Sequence, residues 1–237
     1  MRRLSRTLLA IGALVSLSAQ GAAQSAMDPA NPTCPAEPDW GPAERMQLST
    51  REGEDMNVLV AEGMVDTGFP DRLREAIEAD PMIGEIWIKS RGGDARAGNE
   101  AGRIIRSYPG MVTRIPSGWA CFSACNFVFM GGSIRHVDPG GIFMVHMFTH
   151  TGDRSVINES VLDGTEATTE LIGAIEQSSA LLASEDNDFL IRMGISRLLL
   201  TEVMYQVQAV GTDADPSTRY CLSDDEVLEY NVMNVGG

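Results

Sequence analysis

Basic charge is what this chain has least of. One lysine, Lys89, and 18 basic residues in all stand against 33 acidic ones, a formal net of −15 over 237 residues. So acidic a surface repels phosphate backbones and anionic lipid, which excludes nucleic acid and the membrane surface as partners. Histidines number three, and the four cysteines (Cys34, Cys121, Cys125 and Cys221) include no C-x-x-C pair and no histidine at ligand spacing, so no metal or other cofactor is expected. The apolar run T-L-L-A-I-G-A-L-V-S-L-S-A near the start is too short to anchor in a bilayer. No internal repeat or low-complexity tract is present.

What is there begins with a leader. Residues 1–23 combine Arg2, Arg3 and Arg6, that short apolar run and a small-residue G-A-A exit, the pattern of a secretory signal peptide. Its removal leaves 15 basic against 33 acidic residues, a net of −18. The expected location is periplasmic or secreted, where disulfides persist. Four cysteines allow three pairings. One of them closes a local loop from Cys121 to Cys125 around Ser123 and ties Cys34 to Cys221; small buried thiols are the alternative reading of Cys121 and Cys125.

Residues 24–50 read as a proline-rich N-terminal arm, with five prolines between positions 27 and 43 and no apolar period; Cys34 or Trp40 would anchor it. Residues 51–237 read as one α/β domain. N-V-L-V-A-E-G-M-V from Asn57 is a strand, and Pro70 opens a helix with Leu73, Ala76 and Ile77 on one face. E-I-W-I-K-S is a strand, followed by a sharp turn at 91–94 and a helix over 95–107; M-V-T-R-I-P is the next strand. A short apolar helix over 123–130 stops at Gly131 and Gly132, and strands follow at 134–137 and 142–148. Two long helical patterns occupy 166–183 and 196–210, T-R-Y-C-L is a last strand, and Ser223 with Glu226 forms a capping box for a closing helix. Strands alternating with helices predict an α/β fold with right-handed crossovers and a C-terminal helical region.

Chemistry concentrates between residues 86 and 150. A serine hydroxyl attacks only when a base takes its proton and donors stabilise the resulting oxyanion. Ser123 lies at a helix start, where backbone N–H groups are unpaired and carry partial positive charge, making the Ala124 N–H a candidate oxyanion donor. Gly92 and Gly93 leave a strand and allow close backbone approach, offering a second N–H. His146, in the middle of M-V-H-M-F, is the most constrained of the histidines. Singly each feature has a plain structural explanation; their order and spacing single them out.

That order resembles the proteolytic subunit of the Clp protease, within the Clp protease and crotonase superfamily. I-W-I-K-S-R-G-G-D-A-R-A-G looks like that family's strand, glycine turn and helix; G-W-A-C-F-S-A-C looks like its nucleophile segment, F-M-V-H-M like its histidine strand, and Y-C-L-S-D-D-E-V-L-E-Y-N-V-M-N like its closing elements. The likeness spans 57–234 and is nearest to a secreted branch with a cysteine-flanked serine. It implies a spiral of β-β-α units and a serine peptidase, with Ser123 as nucleophile, His146 as general base, and the N–H groups of Gly93 and Ala124 as oxyanion hole. Peptides or unfolded chains would be substrates, the helical region would support a homo-oligomer, and no ATP-driven unfoldase is expected outside the cytoplasm.

Two positions depart from the family. Its catalytic aspartate directly precedes the final strand, where this chain has Thr218 and Arg219; Asp213 and Asp215 lie just upstream, and Asp215 is the candidate third residue. Arg91 replaces the turn's usual proline. Lys89 on a strand reads as an edge residue rather than an alternative base. Without an acid the chain would be an inactive scaffold that binds a peptide or protein partner, the second reading.

Overall fold

Apolar blocks punctuated by proline and glycine fold into strands and helices in regular alternation. The computed structural model describes residues 26–29, 31–42, 44–147, 150–204 and 219–235. The expected leader 1–23, Asp213, Asp215 and Thr218, and positions 205–210 of the second helical pattern lie outside the described residues.

The arm forms a small antiparallel hairpin, β1 (Met27–Asp28) with β2 (Asn31–Pro35), where no regular element was expected. Strand β3 (Gln47–Arg51), also unforeseen, pairs antiparallel with β4 (Asn57–Glu62). Helix α1 (Phe69–Ala79) carries Pro70 in its first turn, where a missing N–H has no acceptor to serve, and buries Phe69, Leu73 and Ile77. Strand β5 (Ile83–Lys89) lies parallel to β4 and leads through the glycine turn into α2 (Ala95–Ser107). The N-cap of α2 is Asp94, whose side chain accepts the Ala97 N–H at 2.8 Å. There follow β6 (Val112–Ile115), β7 (Ala120–Phe122), α3 (Ala124–Met130), β8 (Ile134–Val137) and β9 (Ile142–His146). Helix α4 (Arg154–Asp163) precedes α5 (Thr165–Met193), and a π-helical turn spans Leu199–Val203. Strand β10 (Arg219–Cys221) and α6 (Asp224–Glu229) close the chain, with the Ser223 and Glu226 capping box formed.

The main sheet has order β3-β4-β5-β6-β8, parallel except at the β3 edge, and a second sheet has order β10-β9-β7. The chain thus visits the main sheet at β6, the second at β7 and then α3, and repeats the step at β8 and β9. All seven residues of α3 are buried; α2 packs over it, and Phe189 of α5 meets Phe127 of α3 at 5.1 Å between ring centroids. Ile86, Ile88, Ile105, Val128 and Phe129 are wholly inaccessible and form the centre of the core.

The closing segment is drawn onto this core by Arg135, 1% exposed, whose guanidinium donates to the carbonyls of Val232, Gly132 and Asn231 at 2.9 Å each. Burial, with Arg106 nearby, pushes its pKa down to about 10, so it remains charged at neutral pH. The expected helix over 166–183 is longer than its apolar period, because Gly194, at φ 71°, supplies the left-handed cap only after Met193.

Candidate active site

The end of β7, the start of α3, the glycine turn after β5 and His146 of β9 meet at Ser123. Strand β7 ends at Phe122, whose N–H donates to the Ser90 carbonyl at 3.0 Å, while the Ser90 N–H donates to Ala120 at 3.0 Å. These bonds hold the turn after β5 against the entry to α3. A Cβ on Gly92, at φ 91°, would lie 2.6 Å from the Ser123 Cβ, so only glycine permits this approach. Gly93 is pinned from the other side: the Val65 N–H donates to the Gly92 carbonyl at 2.9 Å, and the Asp94 N–H donates to Val65 at 2.8 Å. A side chain on Gly93 would meet the Val65 carbonyl oxygen at 2.2 Å.

Ser123 itself has φ 58° and ψ −124°, a backbone conformation that L residues rarely adopt and that costs on the order of 1–3 kcal/mol. It occupies the N-cap of α3 but makes no side-chain cap bond. Its Oγ instead lies 2.7 Å from His146 Nε2. The strained turn is crosslinked across its base: Cys121 and Cys125 form a disulfide, with Cα atoms 5.4 Å apart. The N–H groups of Gly93 and Ala124, the expected oxyanion donors, have no acceptor among the described residues; Ala124 directly follows Ser123, and Gly92, the neighbour of Gly93, lies against it.

His146 ends β9, which α3 grips through the Asn126 Nδ2 donating to the Met144 carbonyl at 2.7 Å. Its ring lies against Phe122, centroids 4.6 Å apart. On the other side Arg219 of β10 is registered opposite His146. The Arg219 guanidinium lies over the rings of Trp40 and Phe122, at 5.5 and 5.6 Å from their centroids. The arm therefore reaches the site. Cys34 is bonded to Cys221 of β10, Trp40 meets Phe122 at 5.8 Å, and the Ala120 N–H donates to the Asp39 carbonyl at 2.9 Å. Both Cys34 and Trp40 anchor it.

Lys89 is committed elsewhere. Its Nζ contacts Asp39 and Glu62 at 3.0 Å each and lies 4.5 Å from the Trp119 ring centroid. Burial works to lower its pKa, but the hydrogen bonds to Glu62 and Asp39 outweigh burial and hold it above the ordinary lysine value. A lysine kept protonated in this way has no free base to offer Ser123.

Beside the Ser123 and His146 pair opens a cavity of about 420 Å³, walled by α3, β9, α5 and the π-helical turn, a size usual for a binding site. Its lining is mostly apolar, Phe127, Leu182, Leu190 and Leu200 among it, and besides Ser123 and His146 the polar residues are Asn126, Ser179 and Asp186. Sequence reasoning passed over Asn126 and Asp186. Asn126 lies one turn after Ser123 in an apolar stretch, and Asp186 falls in the run S-E-D-N-D, which reads as a solvated helix face. Only the packing of α5 carries Asp186 to the cavity.

No family model matches the chain, and no curated protein matches it. Solved structures do resemble it. A variant of ClpP1 from Listeria monocytogenes is 14% identical, the match covering 75% of this chain and 88% of that one, at a TM-score of 0.50. An enoyl-CoA hydratase from Shewanella pealeana ATCC 700345 is 11% identical over 78% of this chain and 66% of that one, at 0.45. A membrane-bound stomatin-specific protease is 14% identical over 75% and 76%, also at 0.45. At such identities the likeness to ClpP1 is one of fold: the chain is an α/β protein with a ClpP-like architecture.

Proposed function

We propose that this protein is an exported serine hydrolase that cleaves peptides or unfolded chains by acyl transfer. The observation that carries the reading is the contact of Ser123 Oγ with His146 Nε2 at 2.7 Å, made by a serine held at φ 58° that has given up its helix-cap bond to make it. In the reaction Nε2 takes the hydroxyl proton as Oγ attacks the substrate carbonyl carbon. The carbonyl oxygen becomes an oxyanion that accepts hydrogen bonds from the N–H groups of Gly93 and Ala124. Collapse breaks the bond to the leaving amine, which receives the proton from His146, and water then hydrolyses the acyl-enzyme by the same steps. Asp215, four residues before the partner of His146 in the β10 register, is assigned as the group that holds the proton on Nδ1.

Two disulfides support an oxidising location outside the cytoplasm, where no ATP supply would run an unfoldase. Apolar residues left exposed on α4 and α5, such as Leu162 at 86% and Ile172 at 52%, suit self-association. The second reading, a non-catalytic scaffold that binds peptides, draws on Arg219, a cation registered opposite His146.

A fluorophosphonate probe separates the two. Protein comprising residues 24–237 is expected to label at Ser123, Ser123→Ala and His146→Gln are expected not to, and Asp215→Asn is expected to slow labelling by several orders of magnitude. Folded protein without Ser123-dependent labelling would establish the scaffold reading instead.

A further inference from the structure

The cavity beside Ser123 has a chemical imbalance. Asp186 contributes a carboxyl to walls that are otherwise mostly apolar, and no arginine or lysine lines the space. Among the described residues no cation answers that carboxyl. Burial, with the negative charge of adjacent Glu185, pushes its pKa up to about 7. The Asn126 amide is part of the wall, 4% exposed and donating from Nδ2 to the Met144 carbonyl. A carboxyl without a cationic donor, in a space also lined by Leu182, Leu190 and Leu200, describes the complement of a long apolar stem ending in a cation.

We propose that this cavity is a subsite for a lysine or arginine side chain of the bound peptide, its methylenes on the leucines and its charged end on Asp186. A neutral apolar side chain would fill the same volume but leave the carboxyl unsatisfied, which is how a polar pocket rejects an isostere. The chain's own acidity, a net of −15, adds long-range attraction for basic peptides. The identity of the occupant as substrate rests on the hydrolase reading of Ser123; the existence of the cation site does not.

The test therefore reads binding rather than turnover. Benzamidinium and its neutral near-isostere benzamide are titrated into residues 24–237 at pH 8 by calorimetry. Benzamidinium is expected to bind roughly ten- to a hundredfold more tightly, the range that a hydrogen bond to a charged group allows, and Asp186→Asn, which keeps the shape and removes the charge, is expected to abolish the preference. Saturating benzamidinium is also expected to slow fluorophosphonate labelling of Ser123. Equal affinity for the two probes in the unmodified protein, a measurement that needs no variant, overturns the proposal, as does a preference that survives Asp186→Asn. If Ser123 never labels while the benzamidinium preference holds and depends on Asp186, the hydrolase reading fails and the cation site stands.

Discussion

Replacing Cys34 and Cys221 by alanine opens a loop closed over a sequence separation of 187, whereas replacing Cys121 and Cys125 opens one of 4. If the crosslinks act mainly by restricting the unfolded chain, the first is worth about 5 kcal/mol and the second about 2 kcal/mol. For a domain of this size those losses correspond to falls in Tm of roughly 10–20 °C and 4–8 °C. Native packing does not reverse the order. Cys34 and Cys221 are 3% and 6% exposed and pack with Phe122 and Met144, and their loss leaves the arm tied to β10 by the Cys221 N–H donating to Thr33 Oγ1 at 3.2 Å and by the Asn31 side chain on the Arg219 carbonyl. Labelling of Ser123 is expected to follow the opposite order. The short crosslink spans the strained residue itself, so removing it lets the turn relax from φ 58°, while removing the long one acts on the site only through the arm. Circular-dichroism melts of the two double variants, beside their fluorophosphonate labelling rates, measure both. A Cys34/Cys221 variant melting within about 2 °C of the parent would refute the chain-entropy reasoning. Unchanged labelling of the Cys121/Cys125 variant would show that the crosslink does not hold the turn.

Three further predictions concern stability. Burial raises the Asp186 pKa from 3.8 to about 7, so the stability of the protonated form is fully present below 3.8 and is lost as pH rises through about 7. Full desolvation would make this about 4 kcal/mol, and partial solvent access reduces it to about 1–2 kcal/mol. Asp186→Asn should accordingly raise Tm at pH 8 and leave it nearly unchanged at pH 4; equal effects at both would count against the buried carboxyl. Gly93→Ala places a Cβ 2.2 Å from the Val65 oxygen at φ 146°, and should cost at least about 2–3 kcal/mol in urea unfolding. Gly173→Ala, in α5 with open space around the added carbon, should instead stabilise by about 0.5–1 kcal/mol.

Much of this protein is legible one residue at a time because the signals are local. Pro70 can begin a helix but not sit within one, Gly131 and Gly132 end α3, and the Ser223 and Glu226 box needs only neighbours three residues apart. The order of Gly93, Ser123, Ala124 and His146 was legible in the same way, as a pattern along the chain. Elements without a period were not. Strand β3 has mostly exposed residues and exists because an edge of β4 accepts it, and β7 is three buried residues, too short to show a period. Cysteine pairing had three solutions in sequence; Cα separations of 5.1 and 5.4 Å, set by the arm lying on β10 and by the turn into α3, select one. The strain at Ser123 is likewise tertiary, since it arises from Gly92 and β7 meeting α3 rather than from any preference of serine. Asp186 shows the division most sharply: composition makes it one acid among 33, and only α5 packed beside α3 and β9 sets it in an apolar cavity at the reacting serine. Local propensity and order along the chain were determined by sequence, while burial, strain and the meeting of distant side chains depend on contacts that close only when the sheets and helices pack.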